Sequence, residues 1–147
     1  MATTTAAITL NSDLLSDTIS ISASSTLMKA DTTSDGLTMV DYGVIDVVTG
    51  DQFDLLDADD PSDSPPVRGL LKNKANKVYI ANHATDETYY VEIMIDATNV
   101  GRLYAGDWMF IPWSAEDANA DIEITANTGT NKIEYALFHQ GRTLVAS

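Results

Sequence analysis

Val78 and Ile80 alternate with Tyr79 and Ala81, and the same two-residue rhythm returns further along the chain. Val91, Ile93 and Ile95 flank Glu92 and Met94, Ile122 and Ile124 flank Glu123, and Ile133, Tyr135 and Leu137 flank Glu134 and Ala136. Successive side chains of an extended segment point to opposite faces, so each run offers one face to a core. Turn-forming residues stand between the runs, at 82–87, 96–101, 114–119 and 127–131. Short strands at this spacing predict an all-β fold, a single β-sandwich or jelly-roll-like domain over residues 14–147.

The pattern is weaker upstream. Residues 1–13 are small, polar and rich in Thr and Ala, and are read as a flexible N-terminal arm that extends from the sandwich. Leu14 to Ala23 forms a β-like run in which Ile19 and Ile21 alternate with Thr18, Ser20 and Ser22, and Ser24, Ser25 and Thr26 close it. Leu37 to Val48 is rich in Val, Ile, Thr and Tyr, and Gly43 within it marks a bulge or a break between two short strands. Thr49-Gly50-Asp51 is a turn signal. No helix of ordinary length is predicted; Ser114 to Asp117 starts one or two turns at most.

Charge changes the picture more than length does. The net charge is −14, and residues 1–63 hold twelve Asp against the single cation Lys29. Backbone phosphates and anionic lipid headgroups would repel such a surface, so neither nucleic acid nor a membrane is expected as a direct partner. The acidic loop 51–66, with Asp54, Asp57, Asp59, Asp60 and Asp63, invites a Ca²⁺ reading. Asp57 at the first position of an EF-hand loop puts Ser62 where Gly is required and Arg68 where the bidentate Glu belongs, so the motif fails and a solvated loop is the expectation, a weak cation site at a subunit contact being the alternative. Immediately after it, Arg68, Lys72, Lys74 and Lys77 make up half of the basic residues. They either compensate the acidic loop or form a positive contact for an acidic protein surface.

Candidate chemistry is sparse. His83 and His139 have no third ligand at metal-site spacing, and no nucleophile elbow, phosphate-binding Gly loop or His-Glu-x-x-His is present, so neither enzyme nor cofactor is expected. With no cysteine there is no disulfide or thiolate. No apolar run reaches the ~20 residues of a membrane helix, and the first residues lack a signal peptide's basic and apolar regions, so synthesis in the cytoplasm is expected. The densest aromatic stretch is Val100 to Trp113, where Gly106-Asp107 precedes a strand that Pro112 ends. Trp108, Phe110 and Pro112 fall on one face of that strand, and Met109, Ile111 and Trp113 on the other. An aromatic face of this kind is either a sugar-stacking platform or core and interface; apolar residues on both faces favour the second.

Asn99 to Trp113, followed by Asp121 to Ala126 and closed by Lys132 to Phe138, resembles the small β-sandwich virion proteins of tailed bacteriophages, in particular capsid decoration or cement proteins. The resemblance covers about the C-terminal half of the chain. It implies a structural protein that binds the outside of the mature head and ties neighbouring coat subunits together, with the major capsid protein as its partner and the outer virion surface as its location. It also implies a homo-oligomer, trimers at symmetry axes being common among such proteins. On this reading Tyr104, Trp108, Phe110 and Trp113 supply core or intersubunit packing, and Arg68, Lys72 and Lys74 face acidic coat residues. A glycan- or receptor-binding module of a tail fibre, or a low-copy tail or neck connector, is the alternative.

Overall fold

The computed structural model describes residues 3–13, 19–28, 37–58, 76–113 and 120–140. These form ten strands and, among the described residues, no helix: β1 Thr3–Ser12, β2 Ile19–Met28, β3 Leu37–Val48, β4 Gln52–Leu56, β5 Asn76–Asn82, β6 Tyr90–Ile95, β7 Thr98–Tyr104, β8 Trp108–Trp113, β9 Ile122–Ala126 and β10 Thr130–Gln140. The all-β expectation holds. Two four-stranded antiparallel sheets, ordered β3-β10-β5-β8 and β4-β9-β6-β7, pack face to face, and β1 and β2 form a separate two-stranded sheet.

The pairing is nested. β6 meets β7, β5 meets β8, β4 meets β9 and β3 meets β10, as if one long hairpin had been rolled up from its turn. Two further ladders, β10 with β5 and β6 with β9, close the roll into sheets. The alternation noted in the sequence supplies the core: Val78, Ile80, Ile133 and Leu137 from one sheet meet Val91, Ile93, Ile122 and Ile124 from the other, all essentially inaccessible to water. Burying one such side chain contributes about 1.5–3 kcal/mol.

Several local expectations change. Residues 3–12, read as a frayed arm, are a regular strand hydrogen bonded in register to β2 from Thr3↔Met28 to Ser12↔Ile19. Ser24, Ser25 and Thr26 do not end the following run but lie inside β2, while 14–18 lie outside the described residues. Gly43 marks neither a bulge nor a break, since β3 pairs without a shift from Val48 to Met39. Turn 96–101 shrinks to the two-residue loop Asp96-Ala97, both at positive φ (50° and 55°), between paired Ile95 and Thr98. That is the geometry a tight hairpin of twisted strands favours. Pro112 does not end β8; it is accommodated there because β8 is, among the described residues, an edge strand, with no second neighbour to receive the missing N–H. The tract 114–119 and the acidic loop beyond Ala58 lie outside the described residues.

Candidate interaction surface

The two outer faces of the sandwich differ in chemistry. On the β4-β9-β6-β7 sheet, register places Gln52, Thr125, Glu92 and Arg102 in one row and Asp54, Glu123 and Met94 in the next. Arg102 donates to Glu92 at 2.9 Å and lies 4.7 Å from the Tyr90 ring centroid, and Tyr90 in turn tilts against Tyr104 at 5.0 Å. Gln52 donates to Glu123 at 3.3 Å. Partial burial, with Glu123 and Asp57 nearby, raises the Asp54 carboxyl above the usual range. This is an ordinary solvated sheet face.

The outer face of β3-β10-β5-β8 is apolar. One row across it reads Val40, Phe138, Lys77, Pro112; the next reads Tyr42, Ala136, Tyr79, Phe110; the third reads Val44, Glu134, Ala81, Trp108. Phe110 and Phe138 meet edge to face at 6.2 Å. Val40, Tyr42 and Val44 stand on the β3 side about half or more exposed, Tyr42 at 61%. Charge on this face is balanced locally, Lys132 pairing with Asp46 at 3.2 Å. Glu134 accepts from Tyr42 Oη at 2.9 Å and pairs with His83 Nε2 at 2.7 Å. These bonds, His83's first, hold the Glu134 carboxyl below its ordinary range.

Over the β5–β8 side of this face lies the β1–β2 hairpin. Thr5, Ala6, Ile8 and Ala23 overhang Tyr79, Trp108, Phe110 and Phe138 across an open cleft of about 610 Å³. Large monomeric surfaces seldom carry a contiguous apolar patch without a binding role. An aromatic-lined groove beside an exposed apolar strip can bury apolar side chains or stack a flat ring.

The residues singled out in the sequence separate here. Trp108 (49% exposed) and Phe110 belong to the apolar face, whereas Trp113 (3% exposed) points into the core and donates its Nε1–H to Ala120 O at 2.9 Å. Tyr104 stands on the opposite, polar face beside Tyr90. Arg68, Lys72 and Lys74 lie outside the described residues. The histidines also part: His83 is on the outer face with Glu134, and His139 Nδ1 sits 2.6 Å from Asn76 Oδ1. Among the described residues no three His, Asp or Glu side chains gather as a metal set. Sequence reasoning missed Val40, Tyr42, Val44, Tyr79 and Phe138 as surface residues. Their alternation is visible in the sequence, but which face of a strand meets the core becomes visible only once its partners are known.

No protein-family model matches the chain, and neither does any curated protein.

Proposed function

We propose that this chain is a structural, non-enzymatic protein of a tailed-phage virion, a capsid decoration protein that binds the outside of the mature head and ties coat subunits together. The observation that carries the reading is the pairing of a nested, doubly layered antiparallel body with one apolar, aromatic outer face. We read the nested winding as a jelly roll, a fold that recurs in viral capsid and lectin domains. Fold alone does not assign function, so the reading rests on the surface as well. Trp108 and Phe110 supply an apolar anchor, aromatic residues being enriched where interfaces hold most of their energy. Arg68, Lys72 and Lys74 supply charge pairing to acidic coat residues. A ligand that binds only the assembled shell stabilises it by mass action.

Purified protein mixed with expanded heads that lack this chain is expected to co-sediment in fixed stoichiometry with the coat, and Trp108→Ala to weaken that binding. A folded protein that stays in the supernatant would remove the reading. The half-exposed Trp108 beside the cleft also supports a glycan-binding module. Sugar-dependent quenching of tryptophan fluorescence, with no binding to heads, would select that alternative.

A further inference from the structure

The β1–β2 hairpin has two unlike faces. Register places Ala6, Ile8 and Leu10 on the same side as Ala23, Ile21 and Ile19. The other side carries Thr5, Thr9, Asn11, Ser20 and Ser22, with Ser20 Oγ donating to Asn11 Oδ1 at 2.8 Å. An isolated two-stranded hairpin is marginal in water and needs its apolar face covered. Only half of it is. The Ala6–Ile8–Ala23 end overhangs the aromatic side of the outer sheet face, while Leu10, Ile19 and Ile21 remain 51%, 41% and 51% exposed. The sheet is left in the complementary state: its β5–β8 side lies under the hairpin, and Val40, Tyr42 and Val44 on β3 stand open.

We propose that the occupant of each open half is the other half on a second copy of this chain: Leu10, Ile19 and Ile21 of one copy pack on the Val40–Tyr42–Val44 strip of the next. Two features select a second copy over an unrelated partner. The first is continuity. Each open surface extends one wall of the hairpin-over-sheet cleft that the chain already forms with itself, so the chemistry of the match is present in the molecule. The second is charge. A chain of net charge −14 repels its own copies wherever acid meets acid. The described hairpin strands carry no charged residue, and on the outer sheet face Lys77 and Lys132 balance Asp46 and Glu134. Copies meeting there set strand faces rather than acidic loops against one another, Asp13 just beyond β1 being the nearest described acid of the hairpin, over a surface whose centre is apolar and aromatic as interface centres are. The contact is heterologous, one patch on a different patch, so it closes as a reciprocal pair or a ring where the rotation allows and otherwise propagates as an open chain. It stands apart from the coat-binding reading, which uses Trp108 and Phe110 and needs a shell.

The test is the oligomeric state of the full chain in solution, without heads, by sedimentation velocity across a wide loading range. The wild type is expected to associate. Ile21→Lys on the hairpin and Val44→Lys on the sheet are each expected to weaken association at least roughly tenfold. Val44→Lys stands opposite Glu134, a pairing the sheet tolerates. An equimolar mixture of the two variants is expected to recover a dimer, because one native joint can re-form between a wild-type hairpin and a wild-type strip. Circular dichroism and tryptophan emission confirm that each variant is folded. A wild type that stays monomeric, loss of association in only one of the two variants, or a mixture that stays monomeric would each overturn the proposal.

Discussion

Gly43 lies within the twelve-residue strand β3, where a glycine weakens a strand and needs a reason. The reason stands opposite: a Cβ added there would come within 2.6 Å of the Tyr135 ring, a side chain only 6% exposed. Gly43→Ala is expected to lower stability by about 1–3 kcal/mol through overpacking, read as a shift in denaturant midpoint at constant slope. Ala97 is the converse case, a residue with a Cβ at φ 55°. Ala97→Gly is expected to raise stability by about 1 kcal/mol, the ordinary cost of a left-handed conformation for an L residue. Glu134 gives a pH signature. Its pKa is lower in the folded chain than its ordinary 4.5, so its bonds to His83 and Tyr42 stabilise the fold above that pH and are lost as pH falls through the folded value. Glu134→Gln should therefore be less stable than wild type near neutrality, with the two melting curves converging in acid. At this scale the sequence was partly legible. The turn signals at Gly50, Gly106 and Gly129 correspond to positive φ, but Gly43 could not be understood without knowing that residue 135 lies across from it.

At the scale of elements, the strands of the sandwich were the most readable part and the hairpin the least. β5, β6, β9 and β10 each bury an unbroken alternation of Ile, Val, Leu or Tyr, which the sequence displays directly. β1 carries only Ile8 and Leu10 among Thr and Ala, and its apolar side becomes continuous only when Ala23, Ile21 and Ile19 are set beside it. Composition over one strand looks like a loose end; two strands together make a face. The aromatic stretch was readable in its alternation but not in its destinations, since Trp113 went inward, Trp108 outward and Tyr104 to the other sheet. Ile8→Asp puts a charge under the hairpin where it overhangs Trp108. Its expected result is a red shift and easier acrylamide quenching of one tryptophan, with Trp113 still protected and the melting of the sandwich almost unchanged.

Across the whole molecule, the strands nearest the start of the sandwich pair with those nearest its end. Among the described residues, β3 has β10 as its only neighbour in the sheet, and β4 has only β9. A chain truncated after residue 126 is therefore expected to lose cooperative unfolding altogether, rather than to melt as a smaller sandwich, because β3 and the whole β10 row of the core would go together. Nested pairing also sets an order of events on the ribosome. Leu37–Val48 and Gln52–Leu56 emerge early and must wait, backbone groups unmatched, until residues 122–140 have been made. Waiting strands of this kind are where chains stick to one another, and slow, long-range closure lengthens the wait. The crowd of aspartates in the first 63 residues then has a use during birth as well as afterwards: Asp41, Asp46, Asp51 and Asp54 break those sticky stretches with charge, like gatekeepers that keep nascent neighbours apart until the last strand arrives.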